Sequence, residues 1–291
     1  MAEMDTALQR RITSLTNLRF TTSASACPHP RPFLPVQHPT IPFLSITLPL
    51  PDDDPNFERD LTQQVETLSN PDVAMKLSGP PFPYTRRDAI GWNELNEQIW
   101  HNALEIYKRT LKGEESDDDW RQAFPNGIFS YLRVAKDVNE RDQGQGEWIG
   151  DIGIRRWLFE DVQDLHERKR LKQINDERRV GDPDLVWSVG YYVKPSFQGQ
   201  QITTHALNAL IKNFMIPTLG ARDIRCSAYV GNTASRRVQE KCGFEYDESI
   251  VMWTDVDEAR GGGQVQHWVT RYKGGRINEV EAEASDMKWQ L

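Results

Sequence analysis

The chain has 291 residues, 38% of them hydrophobic and 27% charged, with a formal net charge of −8. That is enough apolar material for one domain of about 200–250 residues plus extensions, and the acidic balance argues against nucleic acid as the main partner while suiting an amine-bearing one. No run of about 18 apolar residues occurs, so no membrane span is expected. Cys27, Cys226 and Cys242 form no CxxC pair, which argues against a disulfide framework or a metal site and fits a reducing, cytoplasmic compartment.

Residues 1–44 carry Arg10, Arg11 and Arg19 and then Pro28, Pro30, Pro32, Pro35, Pro39 and Pro42, a composition that reads as a Pro-rich arm outside the core. A first strand is expected from Phe43 to Leu50, stopped by Pro51 and the acidic turn Asp52–Pro55. Phe57, Leu61, Val65 and Leu68 stand at helical spacing, and Asn70-Pro71 ends that helix. A second helix is expected through Trp92, Leu95, Ile99 and Trp100 towards Leu111. Ile128–Ala135 and Trp148–Trp157 read as an antiparallel strand pair joined by a polar loop. Residues 159–184 are strongly charged and read as a surface insertion containing some helix.

From Val186 to Val193 the chain alternates and is rich in Val, Trp and Tyr, until Pro195 interrupts the pattern. Leu207, Leu210, Ile211 and Phe214 then mark one face of a helix, with Thr203 or Thr204 expected to cap it. A polar, Gly-containing loop between a strand and a helix N-terminus leaves backbone N–H groups converging on one point, where an anion binds well. A further strand follows from Ile224 to Val230. Asn232 is expected to cap a helix with apolar face Ala234, Val238 and Cys242, closed by Gly243. Two final strands, Ile250–Val256 and Val265–Tyr272, flank the Gly261–Gly263 loop. The polar tail 273–291 needs no fold. The pattern is α+β: a single mixed, mostly antiparallel sheet with helices on both faces, occupying residues 45–272.

The stretch WSVGYYVKPSFQGQQITTHAL, followed about thirty residues on by NTASRRVQEKCGF, resembles the GNAT N-acetyltransferase family, and within it the ribosomal-protein N-terminal acetyltransferase branch. LSNPDVAMKLSGPPFPYTRRDA is similar to that branch's first helix and following loop. The resemblance implies a sheet with a splayed central strand pair, and acetyl-CoA as the acetyl donor. Its pyrophosphate loop has the form Q/RxxGxG or Q/RxxGxA. Gln198 matches the first position and Gly199 a glycine common in the branch, and Gln200, Gln201, Ile202 and Thr203 complete the cradle. Gln201 stands where the family usually has its central glycine. A glutamine fits there only with φ below zero, since a Cβ is penalised in the left-handed region.

Tyr192 and Val193 match the strand positions whose backbone pairs with the pantetheine arm. Asn232 matches the family asparagine near the pantetheine, and Ser235 a serine close to the sulfur. Many members carry a tyrosine seven residues after that asparagine to protonate the thiolate, and this chain has Gln239. Ser235 or a water is left for that role. Ser188 stands where the branch often has a glutamate, which leaves Asp151 and Asp184 as candidate bases. The implied activity is acetyl transfer to a primary amine, a protein N-terminus or a small molecule. The alternative is a module of the same fold that binds acyl-CoA without turnover. The walls of the acceptor pocket are expected from the first two helices, the charged insertion and the loop around Gly261. An unrelated nucleotide binder is disfavoured by the lack of a GxGxxG or GxxxxGK[ST] run.

Overall fold

A computed structural model of the protein describes residues 6–22, 30–114, 119–128 and 130–274. In chain order the elements are helix α1 (Thr6–Thr16), strands β1 (Arg19–Phe20), β2 (Pro32–Val36) and β3 (Leu44–Thr47), helices α2 (Phe57–Ser69), α3 (Pro71–Ala74) and α4 (Arg86–Leu111), and strand β4 (Tyr131–Val134). Short helix α5 (Val138–Asp142) leads to β5 (Glu147–Arg156), α6 (Leu165–Glu177), β6 (Val186–Val193) and α7 (Ile202–Leu210). Through a π-helical turn at Ile211–Met215 the chain continues into α8 (Ile216–Leu219). It ends with β7 (Asp223–Tyr229), α9 (Thr233–Lys241), β8 (Phe244–Tyr246), β9 (Met252–Asp255) and β10 (Gln264–Tyr272).

Among the described residues these strands form one sheet in the order β1-β2-β3-β4-β5-β6-β7-β10-β8, with β9 also paired to β10. Every pair is antiparallel except β6–β7, which is parallel and spans only three rungs, Val186↔Asp223 to Ser188↔Arg225. Beyond Ser188, β6 stays paired with β5 as far as Gly150↔Val193 while β7 turns to β10. The expected splay is this opening. Gly150 lets the bulged β5 approach closely, because a Cβ there would lie 2.3 Å from Tyr192 O.

The main core joins Leu8 and Ile12 of α1, Trp100, Ala103 and Tyr107 of α4, and Ile202, Leu207 and Leu210 of α7 to sheet residues Leu34, Ile46, Leu132, Ile152, Val189 and Cys226. A second cluster joins Leu61 and Leu68 of α2, Val73 of α3, Tyr84 and Ala89, with Tyr192 packed against it. Helix α4 begins at a capping box, in which Thr85 and Asp88 satisfy each other's backbone N–H groups.

The reading of residues 1–44 as an arm is corrected. Helix α1 and strands β1–β2 belong to the sheet and core, with Ile12, Leu18 and Leu34 almost wholly buried. Prolines are tolerated in β2 because Pro32 is its first residue and its outer neighbour β1 is two residues long. Residues 275–291, nearly all of the expected tail, lie outside the described residues, as does Cys27. No helix of the described residues is long and apolar enough to cross a membrane.

Candidate active site

Strand β6 ends at Val193 and feeds a 3-10 turn over Pro195–Phe197. Gly199 follows at φ +76°, with no atom within 4 Å of where a Cβ would stand, so the loop faces open space. Gln198 turns back, its Nε2 donating to Val193 O at 3.4 Å, and Gln200 Nε2 donates to Ser196 O at 3.0 Å. The N-cap of α7 is Gln201, which makes no side-chain cap hydrogen bond. The expected Thr203 or Thr204 cap is corrected, since both lie inside the first turn and are largely buried. An uncapped helix start leaves the N–H groups of its first residues, Ile202 and Thr203 among them, free for an anion.

Gln201 departs from its expectation. Its φ of 61° and ψ of 9° place it in the left-handed region, where the family's glycine would be unstrained. The requirement for a turn at this point outweighs the roughly 1–2 kcal/mol that a side chain pays there.

On the other lip of the opening, Asn232 caps α9 by accepting the backbone N–H of Ser235 at 3.2 Å. The phenol of Tyr191 donates to Ser235 O at 3.1 Å and so ties β6 to the first turn of α9. Burial holds that phenol well above its ordinary pKa, which suits packing rather than proton donation. Gln239 is wholly buried, with Nε2 donating to Cys226 Sγ at 3.1 Å and Oε1 accepting from Thr270 at 3.0 Å. The apolar face expected for α9 holds at Cys242, which is wholly buried, and at Val238, which packs against the core, but not at Ala234. Ala234 is exposed and Val238 half-buried, while Gln239 points into the core because its amide finds partners there. Burial also pushes the Cys226 thiol up to about 12, so it is no nucleophile.

The two candidate bases separate. Asp184 precedes the closed end of β6, its side chain is 74% exposed, and it pairs loosely with Arg178 at 3.5 Å. The eight residues of β6 span about 25 Å, so Asp184 is remote from the cofactor loop and is not brought to the site.

Asp151 is 7% exposed and stands in register between Tyr131 of β4 and Tyr192 of β6, the three side chains sharing one sheet face. Trp92 Nε1 of α4 donates to its Oδ2 at 3.1 Å, and Oδ1 has no partner among the described residues. Burial raises this carboxyl to about 8, against the smaller lowering pull of Trp92, the Ile152 N–H, Ser130 and Tyr192. The phenols of Tyr84, Tyr131 and Tyr192 are raised by burial first and by the charge of Asp151 next, which marks them as its neighbours. Tyr131 in turn donates to Asn93 Oδ1. Such a group can take a proton from an ammonium of similar pKa.

Sequence reasoning missed Tyr84, Trp92, Asn93 and Tyr131 as members of this cluster. Only the strand alternation at Tyr131 and the helical spacing of Trp92 carried a signal, and neither says what the side chain touches. Beside Gly261, Arg260 donates to Leu77 O and Pro80 O and so joins that loop to the segment between α3 and α4. The charged insertion approaches the same neighbourhood through Glu160, whose charge acts on the Tyr229 phenol that Arg260 also meets. Asn175 of α6 fastens the insertion to the closed end of β6, accepting Val186 N–H at 2.9 Å and donating to Val186 O at 3.0 Å.

The family model described as "Acetyltransferase (GNAT) domain" matches residues 55–245. A search of curated proteins returns no match. Solved structures that resemble the chain include RimL, a ribosomal L7/L12 α-N-protein acetyltransferase, in complex with coenzyme A, at 14% identity and TM-score 0.45 over 82% of this chain and 98% of that one. A GNAT-family acetyltransferase from Bacillus anthracis is similar at 13% identity and TM-score 0.47, covering 82% and 96%. The ribosomal-protein-S5-alanine acetyltransferase of Vibrio fischeri is similar at 15% identity and TM-score 0.44, covering 80% and 94%. Likenesses of this size do not bear on substrate.

Proposed function

The chain belongs to the GNAT acetyltransferase family, a family of acetyl-CoA-dependent acyltransferases, and from that premise we propose that it acetylates a primary amine positioned over Asp151. The observation that carries the reading is the buried carboxyl of Asp151, raised to about 8, directly opposite Tyr192 on the splayed strand.

Acetyl-CoA supplies the electrophile, an acetyl thioester. The residues present fit it: the uncapped start of α7, the open space at Gly199 and the unpaired edge of β6 beyond Ser188 form a continuous track along which Gln198–Thr203 would hold the pyrophosphate and Tyr192–Val193 the pantetheine arm. A backbone N–H of that edge is a fixed donor for the charge that develops on the thioester oxygen. Asn232 and Ser235 lie on the opposite lip, tied to β6 through Tyr191. Asp151 in its carboxylate form accepts the proton that the amine must lose. Ser235, or a water, returns one to the departing sulfur, which a free-thiol pKa near 8.5 makes a modest demand.

The same energetics favour a low-pKa acceptor. Deprotonating an α-amine of pKa about 7.7–8.0 at pH 7 costs on the order of 1 kcal/mol, and a lysine about 4–5. A base near 8 matches the first, so the acceptor class is a peptide N-terminus or a small amine of similar basicity.

Isothermal titration with acetyl-CoA, followed by thiol release in the presence of peptides with free N-termini and small amines, tests this. Binding with acceptor-dependent thiol release is expected. Tight binding with no release for any amine would favour a module that holds acyl-CoA without turnover, and no binding at millimolar ligand would overturn both.

A further inference from the structure

The turn between β2 and β3 sends one side chain into the cofactor loop. His38 Nε2 lies 2.8 Å from Gln200 O. On the other side of its ring, Nδ1 accepts the backbone N–H groups of Thr40 at 3.3 Å and Ile41 at 3.1 Å. Two donors aimed at Nδ1 require it to be unprotonated, so the proton sits on Nε2 and is donated to the Gln200 carbonyl. The imidazole is thus fixed by its own turn before it touches the loop. It also stands edge-on to the ring of His205 on α7, with centroids 4.7 Å apart.

The carbonyl it grips belongs to the peptide joining Gln200 to Gln201, the residue held at φ +61°. A trans peptide is planar, so fixing that oxygen fixes the Gln201 N–H on the opposite side and restrains the rotation that would let Gln201 leave the left-handed region. The neighbouring Gly199 needs no such support, since a glycine enters φ > 0 without penalty.

We propose that His38 is a positioning residue for acetyl-CoA: it holds the Gln200–Gln201 peptide so that a glutamine can occupy the glycine position of the pyrophosphate loop with its backbone still shaped for the anion. This rests on the acetyl-CoA reading and extends it to a segment outside residues 55–245, the span of the family match. The N-terminal strands are then part of the cofactor site as well as of the sheet. The role also accounts for two departures together, a chain that lacks the loop glycine and a β2–β3 turn that reaches over to that same peptide.

The test is a titration of coenzyme A into the full-length wild type, His38→Ala, Gln201→Gly and the double variant, each first checked by thermal melting. His38→Ala is expected to weaken binding about five- to tenfold, the range for one neutral hydrogen bond, and to raise KM for acetyl-CoA with kcat little changed. In the Gln201→Gly background, His38→Ala is expected to cost little further affinity, so that the double variant binds more tightly than His38→Ala, because glycine does not need the strut. A merely structural role for His38 would not be rescued at residue 201. Should the alanine variant not fold, His38→Phe keeps the ring contact with His205 and removes both nitrogens, with the same weakening expected. Wild-type affinity in the His38 variants, or a double variant no tighter than His38→Ala, overturns the proposal alone. A wild type that does not bind coenzyme A overturns the acetyl-CoA reading and this proposal with it.

Discussion

Trp92 and Asp151 meet through one hydrogen bond, from the indole Nε1 to Oδ2 at 3.1 Å, across 59 positions of sequence. Together with the bond from Tyr131 to Asn93, it ties the first turns of α4 to the strand face where Asp151 and Tyr192 stand side by side.

Replacing Asp151 with asparagine keeps the shape and removes the titration. The carboxyl is near 8 in the fold against an ordinary 3.8. Between those values the unfolded chain has lost this proton and the folded chain keeps it, so the contribution of Asp151 to stability, full below about 4, declines as pH rises towards 8. Chemical denaturation at pH 5 and pH 8 is expected to show Asp151→Asn gaining on the wild type with rising pH. Its acetyl transfer is expected to fall about 100-fold or more, as for loss of a general base. A pH-independent difference in stability would show that the group is not raised.

Trp92→Phe removes a donor that favours the charged carboxylate, so the pKa of Asp151 is expected to rise further. In a pH–rate profile of kcat/KM the rising, acid-side limb would move to higher pH. A profile unchanged in midpoint would mean that Asp151 does not govern it.

Gly199→Asp puts bulk at a φ of +76° and a negative charge beside the expected pyrophosphate. Affinity for acetyl-CoA is expected to drop by about tenfold or more, from backbone strain and like-charge repulsion together. Calorimetry at two salt concentrations separates the two, because only the repulsion is screened.

Asp60 of α2 and Arg133 of β4 form a buried ion pair at 2.5 Å, with side chains 1% and 2% exposed, and Arg133 also donates to Gly146 O at 2.9 Å. Asp60→Ala leaves the guanidinium without its counter-charge and is expected to cost about 3–5 kcal/mol in urea denaturation. The double change Asp60→Leu, Arg133→Met is expected to recover much of that loss, since an apolar pair carries no desolvation penalty.

Helices α2 and α7 were legible because apolar residues recur at the helical period, with Leu61 and Leu68 buried in the first and Leu207 and Leu210, followed by Ile211 and Phe214, in the second, and β6 keeps its predicted bounds Val186–Val193; of the face read for α4, Trp92 and Leu95 are exposed while Asn93 and Asn96 are buried. Asn232 and Gly243 were legible as caps because backbone geometry restricts which residues serve there. The first 44 residues were not, because their prolines outweighed a helical spacing at Leu8, Ile12 and Leu15 and the short apolar run Pro32–Val36. There, burial against α4 and α8 overrode local propensity.

By itself the sequence determined the family and the α+β class, since these rest on local periodicity, turn chemistry and motifs a few residues long. Only the tertiary structure set the two candidate bases apart in environment, burying Asp151 among aromatic rings and leaving Asp184 exposed at the far end of the same sheet. It also decided that Gln201 sits left-handed and that His38 stands against the neighbouring peptide. A carboxyl's pKa and a loop's support come from what packs around them, and those neighbours arrive from strands and helices tens to hundreds of residues away.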